Sequence, residues 1–338
     1  MTEIRVRPKA PAAIAQDGLR PVNMRTDLRP LADLIELVFA DSMDSSGRSA
    51  IREMRYLSHM GYGLNLISRL NDLALGISLG FVFILDGQLV GNVSVYPAGY
   101  PKDMSETWIL ANVAVHPAYQ RRGIAGQLVD ASLKMIRQRN GKRVILQVNQ
   151  DNIAALRLYE RQGFLYERTW RHWRRSGFAS EPVCEGHEFH ITRPGYSEWK
   201  SEYQLAQEAR PNSSGGLGWL KPTHESSFRI GPWKRLINLF SLNGIEKLVI
   251  RDQANWAILA VCWLESFMSF SDMRLRFFAS PRLDYSPHAA ALFCNVLSRF
   301  PRSAISIEHP CDDGIVNELL KRYQFKITRE LWHMRLDL

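Results

Sequence analysis

Apolar residues recur along this chain in two rhythms, at alternate positions in some stretches and at every third or fourth in others. These are the signatures of half-buried strands and amphipathic helices. Leu19–Met24 reads as a first strand, and Asp27 is placed to cap a helix through Phe39. Ser45–Met60 reads as a second helix, stopped by Gly61-Tyr62-Gly63. Phe81–Leu85 and Gln88–Tyr96 flank Asp86-Gly87, the turn pair of a tight hairpin. Trp108–Val115 is a further strand, and Gln127–Arg139 a helix. Arg143–Val148 then reads as a strand and Asn152–Gln162 as a helix ended by Gly163, with strands over Leu165–Arg174 and Glu185–Thr192 to follow.

The same order returns in the second half. Lys247–Asp252 and Trp256–Leu264 read as a hairpin, Met273–Ala279 as a strand and Pro287–Arg299 as a helix. Ala304–Glu308 is strand-like, Asp313–Tyr323 helical, and a last strand follows Phe325. Setting Phe164 against Phe325 also aligns Arg168 with Arg329, His172 with His333 and Arg174 with Arg335. The sequence therefore points to an internal duplication. Between the halves lies Pro211-Asn212-Ser213-Ser214-Gly215-Gly216-Leu217-Gly218, whose composition predicts a flexible linker.

Chemistry concentrates where the Trp108–Val115 strand runs through His116-Pro117-Ala118-Tyr119-Gln120-Arg121-Arg122-Gly123-Ile124-Ala125-Gly126 into a helix. A helix start offers unpaired N–H groups and the positive end of a dipole, and Gly123 lets an anion approach the backbone. The turn is suited to a pyrophosphate. It lacks both the dinucleotide fingerprint and the Gly-Lys-Ser/Thr ending of nucleoside-triphosphate loops. A second cluster, Val148-Asn149-Gln150-Asp151-Asn152-Ile153-Ala154-Ala155-Leu156-Arg157-Leu158-Tyr159-Glu160-Arg161-Gln162-Gly163-Phe164, follows one helix and one strand later.

With its Gln-x-x-Gly-x-Ala loop and this second cluster, the chain resembles the GNAT superfamily of acyl-CoA-dependent N-acetyltransferases from about Leu19 to Arg193, most strongly over Asn112–Phe164. The resemblance implies an α/β (α+β) fold, with a mixed, mostly antiparallel GNAT-type sheet flanked by helices and duplicated in tandem. It implies acetyl-CoA (coenzyme A) as cosubstrate and no metal. Backbone groups of Val113, Ala114 and Val115, on a strand that splays from its neighbour, would pair with the pantetheine arm and polarise the thioester carbonyl. Gln120, Arg121, Arg122, Gly123, Ile124, Ala125 and Gly126 would hold the pyrophosphate, with Asn152 and Ala155 touching the cofactor arm. Tyr159 matches the general acid, seven residues after Asn152 and so on the same helix face. Alternatively, Tyr159 is a core aromatic and Asn152 simply a helix cap.

The branch that acetylates N-terminal amines carries a Glu base five residues before this Asn, where the chain has Gln147, which accepts no proton at neutral pH. Glu106 is the nearest carboxylate candidate, ahead of Asp103 and Glu160, and a base-free route stays open for an amine that arrives neutral. The second half lacks the cradle, with Pro287 near the place of Gly123 and Leu320 at that of Tyr159.

Length and composition narrow the rest. The 338 residues suit two domains, divided as a tail over 1–17, a GNAT domain over 18–195, a helix and linker over 196–222 and a degenerate GNAT-like domain over 223–338. No apolar run approaches the length of a bilayer span and no secretory leader is recognisable, so a cytoplasmic protein is expected. Cys184, Cys262, Cys294 and Cys311 lack metal-ligand spacing and read as free buried thiols. The net charge of +9 suits an anionic cosubstrate. The basic run Arg168–Arg175 has no nucleic-acid reader motif beside it and reads as a two-faced strand. Two functions remain open: an acetyl-CoA-dependent N-acetyltransferase acting on a primary amine of a small molecule or peptide, as monomer or homodimer, and an acyl-CoA-binding sensor or scaffold that has lost catalysis.

Overall fold

A computed structural model describes residues 17–40, 43, 45–59, 79–184, 189–229, 244–266, 272–282 and 284–338. Two compact units are present, one formed by 1–98, 105–146 and 337–338, the other by 99–104 and 147–336.

The first unit contains β1 (Gly18–Pro21), α1 (Leu28–Phe39), α2 (Ser45–Ser58), β2 (Phe81–Leu85), β3 (Gln88–Pro97), β4 (Thr107–Val115), α3 (Ile124–Gln138) and the start of β5 (Arg143–Asn149). Its strands lie in the order β1-β2-β3-β4-β5, antiparallel except for β4 beside β5. Asp86 and Gly87 both take positive φ, 51° and 71°, as the two-residue hairpin turn requires. Leu28, Leu31, Ala32 and Ile35 form one buried stripe on α1, which packs with Ile51, Met54 and Leu57 of α2 against Val82 and Ile84.

Asp27 stands at the N-cap of α1, but its side chain makes no capping bond. The carboxylate is instead taken by Arg20, at 2.6 and 2.9 Å, and by the Asn23 N–H. Asp17 fixes the hairpin by accepting the Asp86 and Gly87 N–H groups. The rest of the tail expected over 1–17, the Gly61–Gly63 breaker and part of the strand expected over Glu185–Thr192 lie outside the described residues; of that strand, Ile191–Thr192 is seen.

The second unit contains α4 (Ile153–Arg161), β6 (Leu165–Arg175), β7 (Ile191–Thr192), α5 (Trp199–Ala209), β8 (Gly244–Arg251), β9 (Ile258–Ser266), β10 (Asp272–Ala279), α6 (Ser286–Arg299), β11 (Ala304–Pro310), α7 (Gly314–Arg322) and β12 (Lys326–Asp337). The strand order is β12-β6-β11-β10-β9-β8-β7, with only β10 and β11 parallel. Alternate residues face opposite ways, as the pleat dictates. Ala260, Cys262 and Leu264 join Phe293 and Leu297 of α6 on one face. Val261 and Trp263 join Leu205 of α5 and Phe228 on the other.

The duplication is visible in this unit. The Phe164-to-Phe325 offset of 161 residues also carries β5 onto β11 and α4 onto α7, residue for residue. Even the caps correspond: Asn152 accepts the Ala155 N–H at 3.1 Å, and Asp313 the Val316 N–H at 3.2 Å. The matched last strands, β6 and β12, pair antiparallel with Arg168 opposite His333 and His172 opposite Arg329. Each repeat mate faces the other's partner, the arrangement of a two-fold axis.

Two expectations are corrected. The 211–218 stretch is not a loose linker. Asn212 clamps both the N–H and the carbonyl of Thr223, at 2.7 and 3.0 Å, and Leu217 is buried. Nor are all four thiols free, because Cys184 and Cys294 form a disulfide, leaving Cys262 and Cys311 reduced. The inference from free thiols to a reducing compartment therefore loses its basis.

The basic run over β6 is spent on contacts within the protein. Arg168 pairs with Asp312, Arg171 with Glu330 and Arg174 with Asp272. Arg175 is buried and donates to the Tyr323 and Ser180 carbonyls, while Trp170 and Trp173 are buried beside it.

Candidate active site

In the first unit the site begins with an interrupted strand. The parallel ladder joins Thr107–Ile109 of β4 to Arg143–Ile145 and does not continue along Leu110–Val115. On its other side β4 pairs with β3, Asn92 opposite Ala114 and Ser94 opposite Ala111, so β4 carries an extra residue between these pairs. That bulge falls at Asn112-Val113, where Asn112 adopts φ 50°. Backbone groups of β4 are thus released from both ladders where Val113 stands.

After β4 the chain makes a one-turn 3-10 helix, Pro117–Tyr119, capped by the His116 ring, whose Nδ1 accepts the Ala118 N–H. Gln120 turns its side chain back, and Nε2 donates to the Val115 carbonyl at 3.2 Å. This contact closes the turn between strand end and loop. Arg121 and Gly123 take positive φ, 61° and 78°, which directs the chain into α3. The first bond of α3 runs from the Gln127 N–H to the Gly123 carbonyl, so the N–H groups of Ile124, Ala125 and Gly126 precede the ladder. A Cβ added at Gly123 would meet nothing within 4 Å. Arg121 and Arg122 are exposed and, among the described residues, form no ion pair; Arg122 lies over the Tyr119 ring. Open space, N–H groups ahead of the helix ladder and two exposed cations outside any described ion pair fit a diphosphate. Gly91 of β3 lets this end of α3 sit close, since a Cβ there would stand 2.9 Å from Ile124.

Glu106 precedes β4 as an exposed residue. Its carbonyl accepts the Lys142 and Arg143 N–H groups.

In the second unit Asn152 caps α4, and Tyr159 is buried with its ring edge-on to Phe164. No protein group among the described residues bonds the Tyr159 hydroxyl, and burial pushes its ionisation above the ordinary tyrosine range. Gln147 lies 2.7 Å from His333 Nε2. Asp103, the poorer base candidate, is paired with His224 at 2.8 Å.

The corresponding place in the second repeat is filled. Arg210 is buried, donates to the Phe277 carbonyl of β10 at 3.3 Å and stands 3.6 Å from Asp313. Asp313 is the counterpart of Asn152, and β10 that of β4. Among β10 residues Arg274–Ala279 the ladder with β9 runs without a bulge. Arg210 carries no sequence motif.

Residues 56–164 match the family model described as "Acetyltransferase (GNAT) family". Mycothiol acetyltransferase of Geodermatophilus obscurus is 34% identical over 102 residues, 29% of this chain and 32% of that protein. N-alpha-acetyltransferase 30 of Schizosaccharomyces pombe is 37% identical over 65 residues, 19% of this chain and 43% of that protein. Both matches thus span less than half of the relatives' lengths. A GCN5-related N-acetyltransferase from Sphaerobacter thermophilus superposes with a TM-score of 0.59 at 14% identity, covering 94% of this chain and 95% of that one. A tandem GNAT protein from the clavulanic acid pathway gives 0.51 at 12% identity, over 94% and 98% of the two chains. Among the described residues no helix is long and apolar enough to cross a membrane.

Proposed function

We propose that this chain, whose residues 56–164 match the model of the acetyltransferase (GNAT) family, transfers the acetyl group of acetyl-CoA directly to a primary amine of a small molecule or peptide. The observation that carries the reading is the left-handed Gly123 turn that opens α3 soon after the bulged strand β4, its first N–H groups ahead of the helix ladder. Acetyl-CoA supplies an acyl group activated as a thioester. Arg121, Arg122 and the N–H groups of Ile124–Gly126 hold its diphosphate, with Asn152 and Ala155 along its arm. The Val113–Val115 backbone orients the thioester carbonyl and stabilises the charge that grows on its oxygen. Tyr159 gives its phenolic proton to the departing sulfur, a role supported by a hydroxyl kept protonated by burial. Glu106 is the carboxylate available to take the proton of the amine.

The reading takes 18–195 as the working domain and 223–338 as its degenerate copy, in a protein of the cytoplasm, where acetyl-CoA is made and used. Titration calorimetry with acetyl-CoA, followed by thiol release across a panel of amines, tests it. Uptake with acceptor-dependent release is expected; no uptake would end the reading. The amide of Gln147, bonded to His333 where a carboxylate would serve as base, favours one alternative, an acyl-CoA-binding sensor. Tight uptake with no acceptor-dependent release would favour it.

A further inference from the structure

Asn92 is out of place for a core position of β3. Val90, Val93 and Val95 around it are buried and apolar, and Asn92 itself has no exposed surface. Its Oδ1 finds no hydrogen-bond partner among the described residues. A buried amide with one unmet atom costs stability that an aliphatic side chain would not. Its retained bond shows where that cost goes. Nδ2 donates to the Asn112 carbonyl at 2.9 Å, on the residue with φ 50° that opens the β4 bulge. Asn112 returns the contact across the same two strands, its Nδ2 donating to Ser94 Oγ at 3.3 Å. Three polar side chains, Asn92, Ser94 and Asn112, therefore stitch the bulge that leaves Asn112 and Val113 without ladder partners.

The second repeat supplies an internal control. Its cleft is taken by Arg210, its β9–β10 ladder is regular over Arg274–Ala279, and the facing β9 residues include Val261 and Cys262. An amide-to-carbonyl stitch and a bulge occur together in the half with the diphosphate cradle; the β9–β10 ladder of the filled half has no bulge, and its cross-strand polar contact is an ion pair between Arg276 and Glu265 instead.

We propose that Asn92 is a positioning residue for acyl transfer: by holding the Asn112 carbonyl it fixes the bulge and aims the Val113 N–H at the thioester carbonyl. The inference rests on the acetyltransferase reading. It makes Asn92 act on the polarisation of the acyl group rather than on cofactor affinity, which the cradle at the start of α3 governs.

The test is infrared difference spectroscopy of acetyl-CoA labelled with carbon-13 at the thioester carbonyl, bound to the wild type, Asn92→Val and Asn92→Ser. Asn92→Val copies the aliphatic character of β9, and Asn92→Ser keeps a short donor should the valine variant fail to fold. The wild type should shift the carbonyl stretch to lower frequency. Asn92→Val should lose that shift while binding acetyl-CoA within about threefold by calorimetry, with turnover on any accepted amine reduced about tenfold or more. Asn92→Ser should retain part of both. A folded variant that binds acetyl-CoA with an unchanged carbonyl shift overturns the positioning role and leaves the acetyltransferase reading intact. A wild type that takes up no acetyl-CoA overturns both.

Discussion

Gln147 Nε2 lies 2.7 Å from Nε2 of His333, two residues 186 positions apart in the chain. The amide donates, so the imidazole accepts at this nitrogen and is neutral. Burial, with His172 nearby, holds His333 down at about 3. Under the repeat offset Gln147 corresponds to Glu308, and His333 to His172. Glu308 stands 3.8 Å from His172 and 3.6 Å from His333. The first repeat therefore carries an amide at this position and the second a carboxylate. There the Glu308 carboxylate also accepts the Trp219 N–H of the folded connector.

A neutral buried imidazole has a consequence for stability. The unfolded chain takes a proton on His333 near the ordinary value of 6.5, while the folded chain takes none until about 3. Between those values the unfolded state binds more protons, so stability falls as pH falls through this window. His309, held at about 4 by burial and Arg210, acts in the same sense. His333→Gln removes one of the two contributions. Thermal melts from pH 7 to pH 4 should show a shallower decline for the variant, and equal slopes would refute the neutral assignment.

Tyr159 separates catalysis from packing cleanly. Tyr159→Phe keeps the buried ring against Phe164 and breaks no protein hydrogen bond among the described residues. Its melting temperature should stay within a few degrees of wild type, while kcat for acetyl transfer falls about 10²- to 10⁴-fold with KM little altered. Because burial raises the phenol above its ordinary value of 10, the wild-type rate should show no alkaline loss from this group below that pH. Unchanged kcat in the phenylalanine variant would return Tyr159 to a purely structural role.

The elements legible in the sequence were those set by local pattern. The Asp86-Gly87 turn, the start of α3 after Gly123 and the ends of α4 and α7 depend on residues within a few positions of one another. The repeat was legible through Phe164 and Phe325 because duplication preserves spacing. What stayed hidden depends on partners far apart in the chain. Asn92 differs from its apolar neighbours in sequence, but its partner is Asn112 on another strand. Glycine and serine around 211–218 suggested a linker, whereas Thr223 and Glu308 are what hold the segment. Asp27 looked like a cap, and Arg20 outcompetes the helix N–H groups for its carboxylate.

The Cys184–Cys294 disulfide closes a long loop, its two cysteines 110 positions apart. Cross-linking residues this far apart removes entropy chiefly from the unfolded chain, for a typical gain of about 2–4 kcal/mol. Cys294→Ser, or reduction of the wild type, should lower the unfolding free energy by about that amount, read from the denaturation curve, while calorimetric uptake of acetyl-CoA stays within about threefold of wild type. Mass analysis of non-reduced peptides should recover the two cysteines in one linked species. A free thiol at both positions after oxidative refolding would contradict the bond.

Gly123 tests the cradle by backbone conformation alone. At φ 78° an L-residue is strained, yet an added Cβ would meet nothing within 4 Å, so Gly123→Ala introduces no clash. The strain costs on the order of 1 kcal/mol and is relieved by rotating the turn that presents the Ile124–Gly126 N–H groups. Donors rotated from a diphosphate lose affinity steeply, because charge-assisted bonds depend on alignment. Gly123→Ala should therefore weaken acetyl-CoA binding about tenfold or more by calorimetry, with a small fall in melting temperature. Arg121→Ala should weaken it too, and should flatten the dependence of affinity on salt, since the exposed cation it removes is screened by ions. A glycine variant that binds acetyl-CoA as tightly as wild type would show that the diphosphate is held elsewhere.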